Sequence, residues 1–154
     1  KNMEKADLKN PCAVEYPVFA DDRGPFAPFI NGLEGIAPKA GVIKRIYYVC
    51  NDIKGTVRGF HYHEKEWKFF VIVSGSAKFI ALNPKKPNEK FQFLSSVRKN
   101  NLIIIPPLYA NGWVSLADNT ILVCASTSTT QESLKDDKRF DPHKWGDVWT
   151  VKAR

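Results

Sequence analysis

Two histidines separated by one residue stand just before a hydrophobic strand. Most of the other side chains in this sequence that could take part in chemistry lie close to them. His61 and His63 flank Tyr62 in the segment VRGFHYHEKEWKFFVIVSG, which also contains Arg58 and Lys68. Side chains alternate between the two faces of a β-strand, so both imidazoles are predicted to share one face. Buried cations without partners are costly, so we expect an anionic ligand to meet them if this face is buried.

Three interpretations of this segment are open from the residue types. A His-x-His pair can hold a metal, but a mononuclear site needs three or four protein ligands. Lys68 and Asn111 stand where a metal-binding cupin would supply further ligands, so no metal is predicted. The histidines could also be plain polar residues on a half-exposed face. The third interpretation is proton transfer, because a neutral imidazole is a natural base next to a carbonyl at neutral pH.

The elements that must position these residues are short strands separated by turn residues. Apolar runs rich in β-branched and aromatic residues recur along the chain: GVIKRIYYVCND, WKFFVIV, AKFIALN, KFQFLSSV, NLIIIPP, GWVSLA and TILVCAS. Their spacing predicts an all-β barrel or jelly roll, and WKFFVIV followed by AKFIALN predicts a tight hairpin. TQESLKDDKRF predicts one short helix near the C-terminus, and Trp145 and Trp149 are expected to pack the tail onto the barrel.

Composition limits the classes of protein that fit. A chain of 154 residues, 44% hydrophobic and 25% charged, is typical of one globular domain spanning residues 1–154. The net charge of +7 suggests an anionic partner, but the basic residues are dispersed and no nucleic-acid motif is visible. A phosphate-bearing small molecule is therefore preferred over nucleic acid. Three widely spaced cysteines predict reduced thiols in the cytoplasm, and no apolar run is long enough for a membrane span.

The order of several motifs resembles the dTDP-4-dehydrorhamnose 3,5-epimerase family. These motifs are VFADDRG, VRGFHYH, a lysine before the Ser-Gly turn, IIIPPLYANGW, and Asp-Pro ahead of a tryptophan, in order from about Val18 to Trp149. Members of that family are metal-free cupins that epimerise 4-keto-6-deoxy sugars on nucleoside diphosphates. The resemblance therefore implies a cupin jelly roll, a nucleoside-diphosphate sugar as substrate, no cofactor, and a homodimer.

The resemblance also implies roles for individual residues. His61 matches the catalytic base, Asp141 the carboxylate that orients it, and Lys68 the lysine that stabilises the enolate oxygen at C4. The residues implied to bind substrate are Arg23, Arg58 and Asn111, and the bidentate geometry of arginine suits a diphosphate. The family's general acid, a tyrosine, is missing: Val123 or Cys124 stands in its place, so another tyrosine (Tyr48, Tyr62 or Tyr109) would have to act.

A second family competes for the same segment. The stretch IKRIYYVCNDIKGTVRGFHYH also resembles the dTDP-sugar 3,4-ketoisomerases, related cupins with a His-x-His pair and a tyrosine on the preceding strand. In that chemistry His61 and His63 would move protons between carbons 3 and 4, assisted by Tyr48 or Tyr47. A cupin that binds a sugar nucleotide without reacting is the alternative from a different class, because the family tyrosine is absent.

Overall fold

The structure, a computed structural model, describes residues 9–154, so the start of the predicted 1–154 domain lies outside the described residues. In chain order the elements are β1 Cys12–Glu15, β2 Phe19–Asp21, β3 Gly24–Phe26, β4 Arg45–Asn51, β5 Val57–Tyr62, β6 Lys68–Ser74, β7 Ser76–Leu82, β8 Lys90–Ser96, β9 Asn101–Ile105, β10 Ala110–Ser115, β11 Thr120–Ser126, α1 Thr130–Asp136 and β12 Lys138–Arg139. Within the described part of the chain, no helix is long and apolar enough to cross a membrane.

Two five-stranded sheets pack face to face and enclose the core. One sheet has the strand order β1-β9-β6-β11-β4 and the other β12-β5-β10-β7-β8, while β2 and β3 form a separate hairpin. Side chains from both inner faces meet in one apolar layer, in which Phe70 and Leu122 of the first sheet join Phe79 and Trp113 of the second. The predicted all-β fold with one short helix near the C-terminus is confirmed.

The prediction of a hairpin between WKFFVIV and AKFIALN is wrong. The two segments form β6 and β7, but β6 pairs with β9 and β11, whereas β7 pairs with β8 and β10. The chain therefore crosses from one sheet to the other at Gly75. Gly75 has a φ of +77°, and a Cβ there would lie 2.4 Å from the hydroxyl oxygen of Thr120. Glycine is required because the corner needs both a left-handed backbone and a close approach.

The C-terminal tail covers the outer face of the second sheet, as predicted. Trp145 and Trp149 each lie with their ring centroids 5.0 Å from that of Phe60, and Trp149 is only 4% exposed. The indole N–H of Trp149 donates to the carbonyl of Pro142 at 2.8 Å. This packing holds the segment after α1 against β5, the strand that carries both histidines.

Helix α1 is fixed over one end of the sandwich by polar contacts. Thr129 caps its first turn by accepting a hydrogen bond from the backbone N–H of Glu132. At the other end of the helix, the carboxylate of Asp136 accepts hydrogen bonds from the backbone N–H groups of Glu64 and Lys65, each at 3.0 Å. These bonds tie the helix to the connection between β5 and β6.

Candidate active site

Two cavities between the sheets share Tyr47, His61 and Lys68 in their walls. We call the first, of about 270 Å³, the α1 cavity; its other lining residues are Arg45, His63, Thr130, Ser133, Leu134, Asp137 and Arg139. We call the second, of about 210 Å³, the Arg58 cavity; its other lining residues are Val49, Arg58, Phe70, Asn111, Gly112, Trp113 and Leu122. The shared residues therefore lie where the two spaces meet.

His61 on β5 is held by a carboxylate that follows α1. Its Nδ1 lies 3.4 Å from Oδ1 of Asp137, because β12 pairs with β5 and brings Arg139 opposite His61. A carboxylate oxygen only accepts, so Nδ1 carries the hydrogen and Nε2 keeps its lone pair. His61 is thus prepared to act as a base through Nε2.

The electrostatic surroundings keep His61 neutral. Burial and the nearby Lys68 ammonium lower the pKa of His61, and Asp137 opposes them only in part. A base must be unprotonated before it reacts, so a lowered pKa leaves more of the imidazole ready at neutral pH.

Lys68 supplies a positive charge at the junction of the two cavities. Its side chain is buried, with 8% of the residue exposed, and it contacts both spaces. Its ammonium forms no hydrogen bond or ion pair with a side chain or backbone group of residues 9–154. A buried ammonium without a protein partner favours an anionic or strongly polar ligand.

His63 shares the inner face with His61, as predicted, but belongs to a more closely bonded cluster. It is 4% exposed, and its Nε2 lies 3.0 Å from Oε2 of Glu66 and 3.4 Å from Oδ1 of Asp137. Glu66 is fully buried and also accepts hydrogen bonds from Arg45, Ser126 and Ser133.

Sequence reasoning missed both carboxylates of this cluster. Asp137 lies in TQESLKDDKRF, for which the sequence predicts only a helix, and no feature of the sequence assigns a role to Glu66. The three-residue separation of His63 and Glu66 was the available signal, but it indicates contact only once the turn between β5 and β6 is known.

The structure places Tyr48 outside the site and Tyr47 inside it. Tyr48 is 75% exposed on the outer face of β4, so its predicted catalytic role is not supported by its position. Tyr47 faces the cavities and has the Arg45 guanidinium 4.9 Å from its ring centroid. Burial raises the pKa of Tyr47, which keeps the phenol protonated. Both faces of β4 carry apolar or aromatic residues, so alternation alone did not identify the inner one.

The structure does not bring Asp141 to His61, contrary to the role that the resemblance implies. Asp141 is exposed and accepts the backbone N–H of His143 at 2.7 Å, closing a turn. Phe140 bonds to the backbone of Phe60, so the chain has already passed His61 when it reaches Asp141. Asp137 takes the orienting position instead.

The three predicted substrate-binding residues lie in two different places. Arg58 and Asn111 line the Arg58 cavity. Arg58 donates to Asn51 Oδ1 at 2.7 Å, and the amide of Asn111 donates to the backbone carbonyl of His61 at 3.2 Å. Arg23 lies on the β2–β3 hairpin, where its side chain is 86% exposed and pairs with Asp21. The structure does not bring Arg23 to either cavity.

The cluster of histidines and carboxylates raises the question of a metal. In the described range 9–154, no three His, Cys, Asp or Glu residues are grouped so that they could hold a metal ion. The side chains around His63 that could bind a metal are hydrogen-bonded to one another, and the positive charge of Lys68 nearby would repel a cation. Metal-free chemistry stays a prediction.

Known structures with similar folds include both kinds of sugar isomerase. The RmlC epimerase of Mycobacterium tuberculosis matches with a TM-score of 0.79 and 16% identity over 93% of this chain and 76% of that chain. The dTDP-4-dehydrorhamnose 3,5-epimerase of Bacillus anthracis, with TDP and PPi bound, matches with a TM-score of 0.77 and 19% identity over 99% of this chain and 91% of that chain. QdtA, a sugar 3,4-ketoisomerase from Thermoanaerobacterium thermosaccharolyticum in complex with TDP, matches with a TM-score of 0.71 and 23% identity over 86% of this chain and 90% of that chain. These matches establish the jelly-roll fold.

The sequence itself identifies the family more narrowly. No curated protein matches the chain. A family model described as "FdtA: WxcM-like, C-terminal" matches residues 13–145, which is most of the chain and includes both cavities. The chain therefore belongs to the FdtA, WxcM-like C-terminal family.

Proposed function

We propose that this protein is an isomerase that removes a proton next to the ketone of a nucleoside-diphosphate 4-keto-6-deoxy sugar, and that it epimerises the sugar at C3 or at C3 and C5. The observation that carries the proposal is the meeting of His61, Asp137 and Lys68 in one cavity wall. A neutral imidazole oriented by a carboxylate, beside a buried cation, has the parts that enolate formation needs.

The proposed reaction begins with transfer of the proton from the sugar carbon to Nε2 of His61. The electron pair of the C–H bond forms the enolate, and the Lys68 ammonium stabilises the negative charge on its oxygen. Asp137 stabilises the imidazolium through Nδ1. Epimerisation then requires a proton from the opposite face, and Tyr47 is the proposed donor because it lines both cavities and stays protonated.

The diphosphate is proposed to bind on the side of Arg58. The Arg58 cavity contains two cations, Arg58 and Lys68, and none of its described lining residues is acidic. Asn111 is proposed to act mainly by holding β10 against the backbone of His61, because its amide hydrogens are directed to backbone carbonyls. No nucleic acid or membrane partner and no cofactor are part of the proposal.

Ketoisomerisation between carbons 3 and 4 is the second candidate. It is favoured by His63, which lines the same cavity as His61, and by Tyr47 on the strand that precedes the His-x-His pair. Both reactions share the first proton removal and differ in where the next proton is delivered.

Proton NMR of dTDP-4-keto-6-deoxyglucose in D₂O tests these candidates, with the His61→Asn variant as the control. Deuterium at C3, or at C3 and C5, with retention of the 4-ketone supports epimerisation. Formation of a 3-ketone with deuterium at C4 supports ketoisomerisation. Binding of the nucleotide sugar without exchange would contradict both and leave a non-catalytic binding protein.

A cytoplasmic homodimer is the proposed form of the protein. Ile46 and Tyr48 expose 70% and 75% of their surface on the outer face of the edge strand β4, and burial in a second copy would remove that apolar surface from water. Light scattering coupled to size-exclusion chromatography should give the mass of two chains. The mass of one chain would contradict the dimer.

A further inference from the structure

We infer that Glu66 is a positioning residue that fixes His63 as a neutral Nε2–H donor and thereby keeps Asp137 in place to orient His61. The inference deepens the proposed function and rests on it for its catalytic consequence. Its structural part concerns only the cluster of Glu66, His63, Ser133 and Asp137, and can be tested without any substrate.

Each oxygen of Glu66 faces two donors. Oε1 lies 2.9 Å from Nη2 of Arg45 and accepts the hydroxyl of Ser126. Oε2 accepts the hydroxyl of Ser133 at 2.8 Å and lies 3.0 Å from Nε2 of His63. Four donors converge on a side chain with no exposed surface, which is the arrangement that satisfies an ionised carboxylate.

The tautomer of His63 follows from these contacts. The hydroxyl of Ser133, 3.3 Å from Nε2 of His63, has one hydrogen and donates it to Glu66. A carboxylate can only accept, so Nε2 of His63 carries a hydrogen directed to Glu66, with Oδ1 of Asp137 as a second acceptor at 3.4 Å. A nitrogen that carries a hydrogen has no lone pair with which to remove a proton. His63 therefore cannot act as a base through Nε2.

The charges that face His63 come from three elements. Glu66 lies in the connection between β5 and β6, Asp136 and Asp137 lie at the end of α1, and Lys68 begins β6. Burial and Lys68 lower the pKa of His63, while the three carboxylates oppose this change. The imidazole is therefore neutral at and above neutral pH, so the tautomer is the variable that matters.

Glu66 also affects His61 through Asp137. Oδ1 of Asp137 lies 3.4 Å from both His61 Nδ1 and His63 Nε2. When each nitrogen carries a hydrogen, this one oxygen can accept from both imidazoles. If Nε2 of His63 carried a lone pair instead, it would repel the negatively charged Oδ1 of Asp137, and the contact between Asp137 and His61 would weaken.

The Glu66→Gln variant separates this role from simple packing. An amide has one oxygen and one NH₂ group, so it cannot accept on both sides. Arg45 cannot give up its hydrogens. The amide oxygen is therefore expected to face Arg45 and Ser126, and the NH₂ group to face His63. His63 should respond by moving its hydrogen to Nδ1.

The experiment is ¹⁵N NMR of the imidazoles at pH 8, in the full chain without substrate. The chain has three histidines, so a His143→Gln background leaves only His61 and His63 to assign. We expect Nε2–H for His63 in the wild type and in Glu64→Gln, whose side chain is exposed, and Nδ1–H in Glu66→Gln. We also expect kcat of Glu66→Gln to fall at least about tenfold, with KM within about twofold, because orientation of the base is lost.

Several outcomes would overturn the inference. Nδ1–H on His63 in the wild type would do so directly, as would Nε2–H in Glu66→Gln with unchanged kcat. If Glu66→Gln does not fold, Ser133→Ala decides: Glu66 remains there, so His63 should keep Nε2–H, and a changed tautomer would transfer the role to Ser133. If the wild type isomerises no keto sugar but shows the expected tautomers, the proposed function fails and the assignment of Glu66 stands.

Discussion

The two cavities that meet at His61 differ in how their polar groups are satisfied. In the α1 cavity Asp137 bonds to His61, His63 and Arg139, and the buried Glu66 behind it receives four donors. In the Arg58 cavity, by contrast, no described lining residue is acidic, and its polar groups are directed mainly to backbone and amide oxygens. The first arrangement is preorganised for proton transfer, and the second leaves positive charge available for a ligand.

This difference separates two kinds of kinetic effect. Substitutions on the side of α1 should mainly reduce kcat, because they disturb the base and its orientation. Substitutions on the side of Arg58 should mainly raise KM, because they remove contacts that are equal in the ground and transition states. Lys68 and His61 belong to both cavities and should show the largest losses.

Removal of the base should have the largest effect. We expect His61→Asn to lower kcat by about 10²–10⁴, the usual contribution of general acid–base catalysis, while the fold is retained. Steady-state turnover of the keto sugar, with circular dichroism as the check on folding, measures this. Undiminished turnover would mean that another group removes the proton.

Loss of the shared cation should have the next largest effect. Lys68→Met removes the group proposed to stabilise the enolate oxygen, so kcat should fall by about 10²–10³. Lys68 lowers the pKa of His61, so its removal raises that pKa. The acidic limb of the kcat/KM profile, which requires neutral His61, should therefore move to higher pH.

Lys65→Met is the matched control for that variant. Lys65 is exposed in the turn between β5 and β6, and only its backbone N–H contacts Asp136. Its profile should overlay that of the wild type. If the acidic limb of the kcat/KM profile of Lys68→Met moved to lower pH, the proposed electrostatic role of Lys68 would be contradicted.

Loss of the proposed diphosphate contact should have a moderate effect on binding alone. We expect Arg58→Gln to raise KM about tenfold with kcat within about twofold, because a hydrogen bond to a charged group contributes about 1.5–3 kcal/mol. The exposed Arg98→Gln should leave both constants unchanged. A fall in kcat with constant KM would assign Arg58 to the chemical step instead.

The smallest expected effect is on stability. The pKa of both His61 and His63 is lowered in the folded protein, so below their ordinary value of 6.5 the unfolded chain binds more protons. The free energy of unfolding should therefore decrease as pH falls from about 7 to 5. Urea titrations at both pH values measure this, and a decrease equally large in a His61→Asn, His63→Asn double variant would contradict it.

The sequence predicted the fold more fully than the site. Apolar runs of strand length define the elements, and alternation places His61 and His63 together. It could not show that the chain changes sheets at Gly75, because a left-handed glycine fits a tight hairpin as well as a corner. The contact of Asp137 with His61 depends on the register between β12 and β5, which spacing alone does not fix.

The most direct test compares Asp137→Asn with Asp141→Asn in the exchange of the sugar C3 hydrogen for solvent deuterium. The contact of Asp137 with His61 predicts at least about a tenfold slower exchange in Asp137→Asn and a rate within about twofold of wild type in Asp141→Asn. Slow exchange in Asp141→Asn with normal exchange in Asp137→Asn would contradict the assignment of the orienting carboxylate. An absence of exchange in the wild type, with the substrate bound, would contradict the proposed reaction.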